Sequence, residues 1–270
     1  TMNPCGRGAG AVGCGMKFWF RWVFLCLGFL LGGDRLSAAD KPDYIVEDKN
    51  ARKFQKIKNV KLQEKFGTQL AGFMRALRPV NAINGDGKLR IRPPKGKRRE
   101  VPLKFRSFVV GARLITVYTT GLGTLTVTQQ ANAATQYQWA PPPPGKVQNL
   151  NGRQAEQPFA GSDFWMADLA LEFLSWPNQK VIQRRLRRGE LCSVLVSVPA
   201  VVGKYSKIVS YVDEDTMGIV HADVFDAKDR LLKEFAPKDF KKINGQWHLE
   251  RMEMRNEQAN SRTEIIFDLK

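Results

Sequence analysis

Few residues in this chain have the types and the spacing that catalysis requires. Beyond residue 39 the sequence holds two histidines, His221 and His248, and one cysteine, Cys192. A nucleophile needs a histidine or lysine beside it, and the Gly-x-Ser-x-Gly elbow that exposes a catalytic serine is absent. The Gly-Ser-Asp sequence at 161–163 is instead typical of a helix cap. The sequence therefore predicts no catalytic residues, and a hydrolase is the least favoured function.

Metal and nucleotide sites have little support either. His221 and Asp223 share one face of a predicted strand, but two ligands at this spacing are common on solvated strands. The acidic residues 213–215 lack the glycine and the terminal glutamate of a calcium loop. The Gly-x-Gly-x-x-Gly match at 8–13 follows no predicted strand. We therefore expect no metal and no cofactor.

The residues from 16 to 39 are typical of a secretory signal peptide. Lys17 and Arg21 precede an apolar run, and Ser37-Ala38-Ala39 forms a small-residue cleavage site. The apolar run is much shorter than the about 20 residues that span a bilayer. We predict cleavage after Ala39.

Three segments follow from this interpretation. Residues 1–15 are extra translated sequence, 16–39 are the signal peptide, and 40–270 form a single domain. Loss of residues 1–39 lowers the net charge from +17 to +14 and leaves Cys192 as the one cysteine, so no internal disulfide can form. Export disfavours nucleic acid as a partner of this basic chain. The basic runs at 95–99 and 184–188 favour anionic lipid or an acidic protein surface.

Two segments of the mature chain have helical patterns. In 65–78, Phe66, Leu70, Phe73, Met74 and Leu77 recur at helical spacing, and a proline ends the run at 79. The second segment, 162–176, is apolar on nearly every side and has one narrow polar stripe. The sequence predicts a helix there that must be covered on more than one side.

The rest of the chain alternates in the manner of an antiparallel sheet of about nine or ten strands. The strands are predicted near 88–92, 101–105, 112–120, 123–130, 191–200, 205–214, 218–226, 230–236, 240–257 and 261–270. A sheet of this size must curl or close. The segment 136–158, with four consecutive prolines, predicts a surface loop, and the alternative is a recognition segment for a proline-binding partner.

Five segments in order carry a resemblance to a known family: GSDFWMADL, YSKIVSYVDEDT, VFDAKDRLLKEF, INGQWHLERMEM and SRTEIIFDL, between residues 161 and 269. The chain resembles the LolA-like outer-membrane lipoprotein-sorting proteins over about residues 65–270. The resemblance implies an α+β fold in which a strongly curved antiparallel sheet, an incomplete β-barrel, has helices covering its open side. It also implies an apolar cavity for lipoprotein acyl chains.

The resemblance further implies a periplasmic carrier, not an enzyme, that shields the acyl chains of lipoproteins or another lipid for transfer to the outer membrane. Its partners would be acylated lipoproteins or lipid, an inner-membrane transporter and an outer-membrane acceptor. The alternative is a periplasmic sensor or interaction protein that uses the same scaffold to bind a peptide or protein. The family's lid-closing basic residue has four candidates here, Arg90, Arg92, Arg106 and Arg113.

We predict the cavity lining from apolar residues of the predicted helices and strands. The candidates are Phe66, Phe73, Phe105, Val117, Val127, Phe164, Trp165, Leu169, Phe173, Val194, Val209 and Tyr211. A continuous apolar cavity would favour the carrier. A cavity filled by Trp165, Phe173 and Trp176 would favour the sensor.

Overall fold

The structure, a computed structural model, describes residues 41–42, 55–79, 81–131, 133–243 and 246–268. The predicted upstream residues, signal peptide and cleavage site lie outside these ranges. Within them, no helix combines the length and the apolar character that crossing a membrane requires.

Fourteen strands of the described residues form one antiparallel sheet. The strands are β1 (Gln55–Lys56), β2 (Ile83–Arg92), β3 (Arg99–Val110), β4 (Arg113–Thr120), β5 (Gly123–Gln129), β6 (Gln136–Ala140), β7 (Gln148–Leu150), β8 (Asn178–Arg187), β9 (Glu190–Val198), β10 (Tyr205–Asp213), β11 (Ile219–Asp226), β12 (Leu231–Ile243), β13 (Gln246–Asn256) and β14 (Ser261–Asp268). Their order across the sheet is β1-β8-β9-β10-β11-β12-β13-β14-β2-β3-β4-β5-β6-β7. The sheet is open, because β1 and β7 form its two edges.

Most neighbouring strands are also consecutive in the chain, and two pairings are not. Strand β14 pairs with β2 through Ile265 and Leu89, and β1 pairs with β8 through Gln55 and Arg184. The sequence prediction of about nine or ten strands missed β8, which its basic residues concealed, and the short strands β1, β6 and β7. The predicted loop at 136–158 is correspondingly narrower, since β6 and β7 leave 141–147 between them.

The predicted helix at 65–78 is confirmed as α1 (Val60–Ala76), which starts earlier than its apolar pattern. The side chain of Asn59 caps it by accepting hydrogen bonds from the backbone N–H groups of Lys61 and Leu62. Leu70 and Met74 are buried on the face that packs against β8 and the segment before it. The helix therefore holds the start of β8 in place.

The prediction of a single helix at 162–176 is wrong. We call residues 159–176 the plug segment; it contains three short turns, a 3-10 helix at Phe159–Gly161, α2 (Met166–Leu169) and a second 3-10 helix at Glu172–Ser175. Trp165 is extended, and Leu171 has a φ value of 49°, in the left-handed region, so each interrupts the predicted helix. Ala160, with a φ value of 50°, turns the chain just before it.

Side chains of the sheet donate hydrogen bonds to carbonyl groups of this broken path. Gln129 of β5 donates to the Ala170 carbonyl at 2.6 Å, and Gln179 of β8 donates to the Phe173 carbonyl at 2.8 Å. Buried carbonyl groups need such partners. The apolar pattern alone could not distinguish this broken path from a buried helix.

The sheet curls around the plug segment. Tyr118 of β4 donates to the Leu169 carbonyl at 3.3 Å, and Tyr205 of β10 donates to the Asp168 carboxylate at 2.9 Å. These two strands lie seven positions apart in the strand order, which is about 34 Å along a flat sheet. Because both reach neighbouring residues, the sheet must be strongly curved, with the plug segment on its inner face.

Gly67 fixes how closely α1 approaches β8. A Cβ atom at this position would overlap the backbone of Gln179 and Lys180, whereas a Cβ at Gly72 of the same helix would meet nothing within 4 Å. We expect Gly67→Ala to lower the free energy of unfolding by about 1–3 kcal/mol through overpacking. The control Gly72→Ala should raise it by about 0.5–1 kcal/mol through helix propensity. Urea unfolding measures both, and equal effects would contradict this packing.

Candidate functional site

An apolar cavity lies between the plug segment and the inner face of β10–β13. Its volume is about 30 Å³, which leaves room for only a few water molecules. Asp168 is the one charged residue in its wall. The wall consists of Phe164, Asp168, Leu169, Leu171, Phe173, Ile208, Ile219, Ala222, Val224, Phe235, Met252 and Met254.

A second cavity, of about 40 Å³, lies on the other side of the plug segment, against α1, β4 and β5. Leu169 and Leu171 belong to the walls of both cavities. The plug segment therefore fills the space between the two cavities.

A buried ion pair fastens the plug segment to the sheet. The Lys233 ammonium of β12 lies 3.0 Å from an Asp168 carboxylate oxygen and donates to the Tyr205 hydroxyl at 2.7 Å. The Tyr205 hydroxyl in turn donates to the other Asp168 oxygen at 2.9 Å. We call Lys233, Asp168 and Tyr205 the latch. The Lys233 side chain is 0% exposed and that of Asp168 is 6% exposed, so water screens this pair little.

An aromatic side chain covers the latch. The Trp165 ring stacks on the Tyr205 ring at 4.6 Å, and the Lys233 ammonium lies 3.7 Å from the centre of the Trp165 ring. The Trp165 backbone N–H donates to Asp168 at 2.8 Å, which fixes the carboxylate in its turn of helix. Burial lowers the pKa of Lys233 to about 8, while Asp168 opposes this shift. The ammonium therefore remains mostly charged at neutral pH.

Further polar contacts hold both ends of the plug segment. Near its start, the Asp163 carboxylate accepts hydrogen bonds from the hydroxyls of Ser261 and Thr263 on β14. Near its end, Tyr137 of β6 donates to Glu172 at 2.7 Å. The plug segment is thus held by polar bonds from strands on opposite parts of the sheet.

The structure brings some of the predicted lining residues to a cavity. Phe164, Leu169 and Phe173 lie in the wall of the first cavity, and Val127 and Leu169 lie in that of the second. Phe105 is buried in the core. Phe66, Phe73 and Trp165 are partly buried against the core cluster. Contact of any of them with lipid stays a prediction.

Four predicted lining residues face the other way. Val194, Val209 and Tyr211 are cross-strand neighbours on the outer face, and Val117 is directly opposite Arg106 on that face. Tyr211 packs instead against a small outer cluster at Cys192 and Val220. The strand parity assumed for them was wrong. Both faces of these strands carry apolar residues, so the sequence did not specify the inner one.

Lys233, the buried cation that forms an ion pair with the plug segment, is none of the four predicted candidates. Arg90 pairs with Glu100 and Glu264, Arg106 lies over the Phe108 ring, and Arg92 and Arg113 are exposed. Sequence reasoning missed Lys233 because a lysine in a strand usually faces solvent. Lys233 lies two residues before Phe235, which is buried on the inner face. Residues two apart in a strand share a face, so this spacing could have placed Lys233 inside.

The outer face carries a group that could hold a metal ion. His221 Nε2 lies 2.8 Å from Asp223 Oδ1, and Glu234, directly opposite Asp223 on β12, brings a third donor. The three donor atoms lie within 4.8 Å of one another. The sequence had suggested two of these ligands and missed the third, because strand register was needed to find it.

The described residues contain no hydrogen bond between either histidine and a serine or Cys192. His221 bonds to Asp223, and Ser193 donates to Glu214. Burial, with a further contribution from Asp213 and Glu214, raises the pKa of Cys192 to about 12. A thiol with this pKa is a poor nucleophile near neutral pH.

Solved structures share this fold. A putative outer membrane lipoprotein-sorting protein domain from Vibrio parahaemolyticus matches with a TM-score of 0.63 and 18% identity, over 76% of this chain and 92% of that chain. A DUF1329 family protein from Desulfovibrio piger matches with a TM-score of 0.62 and 20% identity, over 76% and 91%. A LolA superfamily protein from Nitrosomonas europaea matches with a TM-score of 0.55 and 14% identity, over 77% and 92%.

The fold, an open and curved antiparallel sheet around a plug segment, is therefore that of the LolA-like proteins, as the sequence resemblance predicted. A family model described as "Uncharacterized protein" matches residues 117–269, more than half of the chain, and the chain belongs to that family. No curated protein matches the sequence.

The latch should make a large contribution to stability when only one of its partners is removed. We expect Lys233→Met to lower the free energy of unfolding by about 3–5 kcal/mol, because it leaves the Asp168 carboxylate buried without a cation. Adding Asp168→Asn should recover part of the loss. In the control, Lys207→Met removes an exposed pair with Asp229 and should cost at most about 1 kcal/mol. Denaturant unfolding of all four proteins tests this, and similar losses for the two single lysine variants would contradict it.

Cys192 should resist alkylation in the folded protein. Its thiol is 0% exposed, and its raised pKa leaves little thiolate at pH 8. We expect iodoacetamide to label it only after denaturation, as measured by mass spectrometry. Rapid labelling of the native protein would contradict this prediction, because it would show that Cys192 is a reactive thiol that could act as a nucleophile.

Proposed function

We propose that this protein is a periplasmic carrier that shields the acyl chains of lipoproteins, or another lipid, for transfer to the outer membrane. The mature protein begins after Ala39. In this proposal, α1 and the plug segment cover the open side of an incomplete β-barrel. The chain performs no catalysis of its own.

The apolar wall beneath the plug segment is the observation that carries this proposal. Apart from Asp168, each residue of the first cavity wall has an apolar side chain. An acyl chain of about 16 carbons avoids roughly 13 kcal/mol of exposure to water when it is buried, at about 0.8 kcal/mol per CH₂. A wall of this chemistry would supply that burial once the cavity is enlarged.

In this proposal the described conformation is the closed one. A space of about 30 Å³ is far smaller than an acyl chain, so a ligand must displace side chains of the plug segment. The side chains that would move are those of the plug segment in this wall rather than those of the sheet: Phe164, Leu169, Leu171 and Phe173. The two cavities would then merge across the space that the plug segment now fills.

The latch would control this displacement. Asp168 belongs to the plug segment, while Lys233 and Tyr205 belong to the sheet, so outward movement of the plug segment separates the ion pair. The separated charges are stable only if water reaches them. Outward movement of the plug segment would therefore expose the latch to water and, in the same step, admit the acyl chain to the cavity.

Transfer also requires a donor and an acceptor. The donor would be an inner-membrane transporter and the acceptor a protein or lipid surface at the outer membrane. The basic run at 95–99, together with Arg185, Arg187 and Arg188 of the second run, would meet anionic lipid or acidic protein surfaces during these encounters. Arg184 takes no part, because it is buried and paired with Glu214.

One observation favours the alternative of a sensor or interaction protein. Trp165 and Trp176 are packed against the core, and Phe173 fills part of the space that a ligand would occupy. In that function the plug segment stays in place, and the outer face or the edges of the sheet bind a peptide or protein partner. The two functions differ in whether the first cavity opens.

Binding of a triacylated peptide distinguishes these functions. Ala222 lines the first cavity, whereas Ala236 of the neighbouring strand faces outward beside Glu253, and both are buried. For the carrier, we expect Ala222→Leu to weaken peptide binding by about tenfold or more, since it removes space for the chain. The matched control Ala236→Leu should bind like the parent protein.

Native mass spectrometry and fluorescence titration would measure this binding on protein processed in the periplasm. Circular dichroism and thermal melting would check that both variants fold. If the parent protein binds no acylated peptide and carries no co-purified lipid, the carrier function is wrong. If Ala222→Leu binds as well as the parent protein, the first cavity is not the site.

A further inference from the structure

Two arginines lie side by side in the wall of the second cavity. Arg75 is in the last turn of α1, and Arg78 follows three residues later. Arg75 donates through Nη2 to the carbonyls of Gln130 and Ala133, at 3.3 Å and 3.0 Å. Arg78 donates through Nη1 to the carbonyls of Arg75 and Leu77, at 2.6 Å and 2.7 Å. Both guanidinium groups thus contact neutral oxygens.

The positive charge of this pair is not neutralised by the described part of the chain. No aspartate or glutamate in 41–42, 55–79, 81–131, 133–243 or 246–268 forms a salt bridge with Arg75 or Arg78. Burial, and then the charge of Arg75, lowers the pKa of Arg78. Two partly buried like charges without a counter-ion are unfavourable, so an anion bound here would relieve their repulsion.

Capping of the helix accounts for part of this arrangement. Arg78 bonds to carbonyls at the C-terminal end of α1, where a cation is favourable. These bonds use one nitrogen of each guanidinium group, and a guanidinium has five N–H donors. The remaining donors can therefore bind an anion without loss of the cap.

The rest of the second cavity suits an acyl chain in its chemistry, and because its volume is only about 40 Å³, side chains of the plug segment must move before a chain can enter. Leu114, Val127 and Leu174 contribute apolar side chains, and Leu169 and Leu171 connect this wall with that of the first cavity. The polar residues Thr116, Tyr118 and Gln129 are neutral. A molecule with an anionic end and an apolar chain matches the charged and the apolar parts of this wall.

We infer that the second cavity binds a single-chain amphiphile, with its carboxylate or phosphate head group on Arg75 and Arg78 and its acyl chain along Leu114, Val127 and Leu174. This inference rests on the proposed carrier function and names a ligand class for it. Guanidinium groups bind carboxylates and phosphates through paired, charge-assisted hydrogen bonds, which gives the site a preference for the anionic head group over a neutral one.

Four probes test this inference on the full processed protein: dodecanoate, dodecyl phosphate, dodecanol and inorganic phosphate. They share a chain or a head group, so their dissociation constants separate the two contributions. We expect both anionic amphiphiles to bind at least about tenfold more tightly than dodecanol. Inorganic phosphate alone should bind much more weakly than dodecyl phosphate, because it lacks the chain.

The double variant Arg75→Gln/Arg78→Gln should abolish the preference for the anionic amphiphiles while retaining dodecanol binding. The matched control is Lys65→Gln, which removes a positive charge from an exposed position of the same helix. It should leave the preference intact. Arg78→Lys keeps the positive charge but removes the planar guanidinium group. It should therefore give an intermediate preference for the anionic amphiphiles. Thermal melting confirms that each variant is folded.

Equal binding of dodecanoate and dodecanol to the parent protein would overturn the inference, whatever the variants do. So would a preference that survives in the double variant, or inorganic phosphate that binds as tightly as dodecyl phosphate. The triacylated peptide separates this failure from that of the carrier function. If the peptide binds without any preference for anionic amphiphiles, the inference alone fails; if no acyl ligand binds, both fail.

Discussion

The arrangement of this protein depends on one interaction that is costly to bury, the ion pair between Lys233 and Asp168. Its two charges lie in the protein interior, where each would be strongly unfavourable alone. Tyr205 and Trp165 complete the surroundings of the pair by hydrogen bonding and stacking. Because the pair joins the plug segment to β12, it holds the plug segment over the apolar cavity. A purely apolar contact at this position would hold the plug segment without this dependence on geometry.

The curved sheet and the plug segment determine each other. Strands that are distant in the strand order reach the same few residues of the plug segment, as Tyr118 and Tyr205 do. Along the irregular path of the plug segment, the carbonyls of Ala170 and Phe173 accept hydrogen bonds from Gln129 and Gln179. In a regular helix the Ala170 carbonyl would accept from the Leu174 N–H instead and would offer no bond to the sheet. The broken path is therefore part of how the inner face is held together.

The sequence was sufficient for a large, curved antiparallel sheet and for most of its strands, because turn residues and alternation are local signals. It was insufficient wherever the outcome depended on pairing between distant residues. Val194 and Leu195 are both buried, and only strand register assigns the first to the outer face and the second to the core. Lys233 resembles an ordinary surface lysine until Asp168 is placed opposite it. The break at Leu171 likewise follows from partners in the sheet rather than from local preference.

Strand β1 pairs with β8, and α1 packs against β8. These contacts have a consequence for how the chain folds. These elements lie near the start of the described chain, yet their partner is more than 100 residues further on. The strands from β8 to β14 instead join consecutive neighbours through short connections. Contacts that are local in sequence form faster than those that close long loops. The C-terminal run of hairpins should therefore assemble first, and the N-terminal helix should dock last, onto a sheet that is already formed.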